Sequence, residues 1–519
     1  MDTATWERQR EELLAQTDLT HLREPGPWLA EMHAKLATAF ARTFERLDSG
    51  TNPGVRPRAG GGRPRFLTPA RPVEQDAPTP RPLFPGPGLI SLHEALPTVN
   101  QQCRFTDCLD HWSPRHRPPR PADRVFFAGV MAYGCNLGLT RMAHTTKHVA
   151  QSTLENTVNG YFSLDNLRRA NDAVVALAGK LPVSRLFRRH PEAVHTSSDG
   201  QKYYGAVDSI HAAYSYEYFG QEKGLVSYGF LDDRHRLFYS ATFSSPGREA
   251  PYLVDGLLHN DVVESTIHST DTHGFTQVNF ALTAFLGIEF APRIQSFQDQ
   301  QFYAFAGMDV SDLATYNLAP VKYIDRTLLE AQWDTLLRPV VSLKQKHVTA
   351  STLLRRLNSY SQQHPVYLAL RELGRMVRTE FLLRYVDDQR LRKRIDDQLD
   401  KLESPHNFAR AVFYGQNGQI PYAGKEEQQL ADACKRLVQN VIVCWNCLYL
   451  NQYLFQAPAA ERQQLADAIA ASSPVSWQHI NLHGGSTSPT TPSRTPCASI
   501  SRPSLPSTGS KPPTRPFNF

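Results

Sequence analysis

The chain has 519 residues, 41% of them hydrophobic and 20% charged, with a formal net charge of +6. This leaves enough apolar content for a sizeable core and more than one domain, and the mild basic excess permits a nucleic-acid partner without requiring one. No apolar run reaches the roughly 18 residues of a bilayer span, and the start Met1-Asp2-Thr3 lacks a signal-peptide pattern, so a soluble, cytoplasmic protein is expected.

Residues 1–48 are expected to be helical, because Trp6, Leu13, Leu14, Trp28, Leu29, Leu36 and Phe40 recur at helical spacing. Residues 49–88 change character: repeated Pro, Gly and Arg make a flexible basic linker that either lies along phosphates or is simply solvated. Residues 89–190 read as a second helical region. Cys103, Cys108 and His111 lack a second ligand pair at finger spacing, so zinc is not indicated. The seven cysteines are scattered, which fits a reducing compartment.

The next segment, residues 191–310, carries the pattern on which the chain turns. Val194 to Asp199 is an apolar and β-branched start running into Ser-Ser-Asp-Gly, which predicts a short strand ending in a carboxylate. Glu264 to Asp271 repeats the device. Between and after them come strand-like runs at Leu225–Leu231 and Leu237–Phe243, helical spacing at Arg248–Leu258 and Thr276–Leu286, and a last strand at Ile288–Ile294. If the two Asp-bearing strands are neighbours, their carboxylates stand side by side and suit a hard cation.

Residues 311–398 read as helical, and their basic run includes Arg371, Arg375, Arg378, Arg384, Arg390, Arg392, Lys393 and Arg394. On one helix face these would form a phosphate-contacting stripe, or a solvated face paired with Glu372, Glu380, Asp387 and Asp388. In residues 399–483, Pro405 suits a helix's first turn, which puts Glu403 at a helix start, where an acid ordinarily serves the helix dipole. One long helix is expected from Gln428 to Phe455, with Cys444-Trp445-Asn446-Cys447 buried in it rather than forming a redox motif. Residues 484–519 are rich in Pro, Ser and Thr and are expected to be a disordered tail.

The order strand, strand, strand, helix, strand, helix, strand is that of an α/β ribonuclease-H-like fold of the retroviral integrase superfamily. The stretches YGCNLGLTRMA (Tyr133–Ala143), SSDGQ (Ser197–Gln201), REAPYLVDGLL (Arg248–Leu258), STDTHGFT (Ser269–Thr276), FLGIEFAPRI (Phe285–Ile294), DKLESPHNFARAVFYG (Asp400–Gly415), EEQ (Glu426–Gln428) and WN (Trp445–Asn446) occur in order between about Cys103 and Leu482. Together they resemble the catalytic domain of the Tn3-family bacterial transposases.

That resemblance implies three catalytic and metal-holding acids, Asp199, Asp271 and Glu403. Asp271 follows Asp199 by 72 residues and Glu403 follows Asp271 by 132, which implies a helical insertion before the third acid, flanked by further helical regions. Two Mg²⁺ ions about 3.5–4 Å apart, or Mn²⁺ in their place, would serve cleavage at a transposon end and then attack of the freed 3′-hydroxyl on target DNA. Asp199 would bridge the ions, and Asp271 and Glu403 would each help hold one. Expected partners are DNA, as terminal inverted repeats and target, and a second copy on DNA, in a nucleoid-associated setting without a membrane. Arg124, Arg141, Arg293, Arg375, Arg378 and Arg410 are the candidate DNA contacts.

Family members are about twice as long, and their N-terminal part recognises the inverted repeats, so the chain is expected to be N-terminally truncated. Two other readings stand beside strand transfer: a catalytically silent fragment that binds DNA or full-length transposase, and a nuclease that uses the same fold with water as its only nucleophile.

Overall fold

The computed structural model describes residues 2–483, apart from residues 53, 59–61, 67–82, 114–117, 191, 245–248, 272–274, 317 and 360–363. The tail expected over 484–519 and much of the 49–88 linker therefore lie outside the described residues. Within that linker, Val55–Arg58 and Gly62–Phe66 pair as an antiparallel ribbon, so part of it is ordered where no structure was expected.

The centre of the chain forms one mixed sheet. Its elements in order are β1 (His195–Tyr204), β2 (Lys223–Asp232), β3 (Leu237–Ser244), α1 (Ala250–Leu258), β4 (Ile267–Thr270), α2 (Gln277–Phe285) and β5 (Glu289–Phe290). A two-residue strand at Ala213–Tyr214 adds to the start of β2. In space the strands run β3-β2-β1-β4-β5; β1 is antiparallel to β2 and parallel to β4, and β5 is parallel to β4. The expected element order is thus present.

Two strand limits differ from expectation. β1 does not stop at Asp199: Gly200 through Tyr204 keep pairing with Tyr228 through Gly224 of β2, so Asp199 is a mid-strand residue. β5 is shorter than 288–294, since Pro292 has no N–H to give, yet Ala291 and Arg293 still donate backbone hydrogen bonds to His268 and Thr270.

Strands buried on both faces usually read as apolar runs. In β1, His195, Thr196, Ser197 and Ser198 are all buried instead, and partners compensate for each. His268 of β4 is the hub: its Nδ1 lies 2.8 Å from Thr196 Oγ1 and its Nε2 2.8 Å from Ser198 Oγ, which also meets the Tyr228 hydroxyl at 2.7 Å. His195 Nε2 lies 2.8 Å from Ser269 Oγ, and that hydroxyl donates to Ala291 O at 2.6 Å. A slip by one residue would strand every one of these buried groups, so the polar set fixes the β1–β4 register.

Helices cover both faces. Helices Thr3–Gln16 and Pro25–Asp48 share a core with α1, α2, the helix Arg326–Lys344 and α3 (Pro365–Asp387). The second core gathers the helices of 92–180 around α5 (Glu403–Val412) and the 32-residue α6 (Lys425–Gln456), in which Cys444, Trp445, Asn446 and Cys447 are buried. Asn446 donates to Pro474 O and Ser476 O, both at 2.8 Å, and so holds the chain's return toward Ile480–Asn481, a strand that pairs with Ile90–Ser91.

The basic run of the insertion is two helices rather than one. Asp388 breaks it, capping α4 (Gln389–Leu399) by accepting from the backbone N–H groups of Arg390 and Leu391. Most of the run faces inward: Arg375 pairs with Glu372 and lies over the Tyr303 ring, Arg378 donates to Gln300, Arg384 pairs with Glu289, Lys393 with Asp397, and Arg392 is buried against backbone carbonyls of Tyr385, Val386 and Gly54.

Candidate metal centre

Ser198 of β1 and Thr270 of β4 are register partners, and each is followed by an aspartate. Parallel neighbours in register carry equivalent atoms side by side, so Asp199 and Asp271 meet at one edge of the sheet. Glu249, the residue before α1, reaches the same place. One carboxylate oxygen from each of Asp199, Glu249 and Asp271 lies within 4.8 Å of the others.

Three anions this close repel, and burial adds to the cost. Burial first, then Asp271, pushes the Asp199 carboxyl up to about 6, although the Gly200 N–H donates to its Oδ1 at 2.8 Å and Arg293 counters with positive charge. Burial, Asp199 and Asp271 push Glu249 up to about 8. Asp199 keeps 35% of its side-chain surface open, so the cluster is reachable from solvent. Oxygen donors alone, converging and short of positive charge, fit a hard divalent cation rather than a thiophilic one.

Glu403 is the first residue of α5, as the sequence predicts, and is exposed. It is not one of the converging acids. Its helix is nevertheless strapped to β1: Gln201 Nε2 donates to His406 O at 3.0 Å, and His406 Nδ1 stands 3.9 Å from Asp199 Oδ2. Burial pushes His406 down to about 4, so it is neutral near pH 7 and does not cancel the Asp199 charge. The sequence thus anticipates two of the converging carboxylates and misses Glu249. That residue sits in the REAPYLVDGLL stretch, but an acid before a helix reads as a cap, and nothing local says that it turns away from its helix.

Among the candidate DNA contacts, Arg293 stands beside the cluster, exposed, with its N–H on Thr270 O at 2.9 Å. Arg124 and Arg410 are exposed on their helices, and Arg141 lines an open cavity of about 520 Å³ together with Tyr414, Asn417 and His483. Arg375 and Arg378 are engaged inside the insertion, as described above.

A mixed sheet that gathers carboxylates from adjacent parallel strands defines an α/β domain with a candidate cation site at the sheet edge. Residues 94–485, more than half of the chain, match the Tn3 transposase DDE domain, and the chain belongs to that family. It is 29% identical over 397 residues to the transposase for transposon Tn1546 of Enterococcus faecium, covering 76% of this chain and 39% of that protein. With the transposase for transposon Tn2501 of Escherichia coli it shares 32% over 393 residues (75% and 39%), and with that for Tn21 of Escherichia coli 33% over 366 residues (68% and 36%). The matched region spans about two fifths of the length of these relatives. No described helix is long and apolar enough to cross a membrane.

Proposed function

We propose that this chain carries the catalytic region of a DNA transposase, a metal-dependent unit for DNA strand cleavage and strand transfer at transposon ends during replicative transposition. The observation that carries the reading is the pairing of Asp199 and Asp271 on parallel neighbouring strands within a chain of the Tn3 DDE family. The strand order β3-β2-β1-β4-β5, with only β2 antiparallel to its neighbours, supports a ribonuclease-H-like core of the retroviral integrase superfamily.

In this reading Asp199 and Asp271 hold the cation, Mg²⁺ or Mn²⁺, and Glu403 is the third acid, brought in by α5. When bound, two such ions activate the attacking oxygen and stabilise the leaving one. The protein's own residues fix the geometry: the His268 network locks β1 to β4, and α5 is tied to β1 through Gln201. Arg293, exposed beside the cluster, is the candidate contact for the phosphate being cut. Terminal inverted repeats and target DNA are the substrates, bound by a dimer in the cytoplasm at the nucleoid.

Strand transfer tests this: a precut transposon end with a free 3′-hydroxyl, a supercoiled target and Mg²⁺ or Mn²⁺, with the parent, Asp199→Ala, Asp271→Ala and Glu403→Ala. Joining by the parent and by none of the variants is the expected result. Joining that survives Asp199→Ala would place the site elsewhere, and a folded, DNA-binding parent that never joins ends would be the silent fragment.

A further inference from the structure

We propose that Glu249 is a further metal-holding residue of this site, seated beside Asp199 and Asp271 in the DNA-free protein, where Glu403 is not among the converging acids. The inference rests on the reading of the site given above and adds a residue to it.

Three independent observations support it. Glu249 occupies the N-cap position of α1, where a carboxylate would ordinarily accept the free N–H groups of the first turn, yet its side chain makes no capping hydrogen bond. It turns instead toward two like charges, and among the described residues no hydrogen bond or salt bridge reaches it. A cation between the three groups would let all of them ionise in that orientation.

The second observation is the space made for it. A Cβ on Gly200 would lie 2.0 Å from Glu249 Oε1, so the carboxylate lies against the bare backbone of β1 directly after Asp199. Any other residue at 200 would drive it out. The third is the position of Glu403, exposed at the start of α5 and absent from the converging set, although His406 one turn further on approaches Asp199.

Three oxygen donors, from Asp199, Asp271 and Glu249, would therefore hold one ion before DNA arrives, the rest of its octahedral shell being left to water. Glu249 would thus help hold the ion in the DNA-free protein.

Mn²⁺ binding to the DNA-free full chain, followed by calorimetry and by the manganese EPR signal, tests this directly. Parent, Glu249→Gln, Gly200→Ala, Glu403→Gln and Asp199→Asn are compared, with metal-free melting as a check on folding. The expected pattern is a loss of Mn²⁺ affinity of tenfold or more in Glu249→Gln, a similar loss in Gly200→Ala, which keeps every carboxylate but displaces this one, and less than twofold change in Glu403→Gln. Glu249→Asp should recover part of the affinity. Parent-like binding by both Glu249→Gln and Gly200→Ala, with Asp199→Asn impaired, overturns the role of Glu249 and leaves the two-aspartate site standing. Unimpaired binding in Asp199→Asn, or none in the parent, overturns the metal site itself and this inference with it.

Discussion

Asp199 and Asp271 are brought together by the pairing of the residues just before them, Ser198 and Thr270, on parallel strands. The placement is built into the sheet and does not wait for a ligand. The cost is electrostatic. The Asp199 carboxyl is raised from its ordinary range to about 6 by burial and by Asp271, so the folded state holds its proton more tightly than the unfolded chain does.

The sign of the consequence follows from that shift. A carboxyl raised on folding contributes stability below its unfolded value, and this is lost as pH rises through about 6. Asp199→Asn removes one of the repelling charges, so at pH 8 without metal it should melt higher than the parent, while the rise in Tm that Mn²⁺ gives the parent should vanish. Thermal melting with and without Mn²⁺ checks both halves. A lower metal-free Tm in Asp199→Asn would mean that repulsion is not the governing cost.

The histidines act in the opposite direction. Burial pushes His268 and His235 down to about 3, so both are neutral when folded and take up protons on unfolding. Stability contributed this way is present above the unfolded value near 6.5 and is lost as pH falls from there toward 3. Each fully buried histidine costs about 1.4 kcal/mol per pH unit across that window. Urea unfolding at pH 7 and at pH 5 should show the loss, and His268→Gln, which retains a donor and an acceptor for Thr196 and Ser198, should flatten it. An unchanged slope in that variant would argue that His268 is not buried neutral.

How much of this was legible in the sequence follows from the range of each interaction. Helix periodicity is local, so the helices of 3–48, the insertion and α6 could be read directly. The order of strands and the two aspartates could be read too, because β-branched and turn residues mark them. The basic helix face could not: Arg375 and Arg378 look solvent-directed by spacing, but their guanidinium groups are claimed by Glu372, Tyr303 and Gln300, partners set by tertiary packing. Glu249 was illegible for the same reason, since its two neighbours lie 50 residues before it and 22 after it. The extension of β1 past Gly200 escaped notice because Gly usually ends a strand pattern, and here it clears space for a carboxylate.

A buried ion pair carries a further expectation. Lys435 Nζ lies 2.8 Å from Asp432 Oδ1 and donates to Tyr203 Oη and Ser227 Oγ, while Asp432 also accepts from Ser240 at 2.6 Å. The pair ties α6 to the face of β1, β2 and β3. Lys435→Met leaves an uncompensated buried carboxylate and should cost about 3–5 kcal/mol in denaturant unfolding. Adding Asp432→Asn to it should recover at least half of that loss; if the double variant is worse than the single one, the serine hydroxyls rather than the lysine stabilise Asp432.

Helix α3 of the insertion meets α2 at Gly374. A Cβ there would lie 1.7 Å from the backbone oxygen of Gln277, the first residue of α2, and a backbone atom cannot swing aside as a side-chain tip can. Gly374→Ala must therefore push α2 and α3 apart, and overpacking of this kind costs about 1–3 kcal/mol or more. Gln277 lies only six residues after Asp271, so the displacement is passed to the cation site as well as to stability. The expected result is a lower Tm together with weaker Mn²⁺ binding, whereas Gly26→Ala, at a helix start with nothing within 4 Å of the new methyl, should be neutral or slightly stabilising. If Gly374→Ala lowers Tm but binds Mn²⁺ like the parent, the insertion supports the fold without setting the position of Asp271.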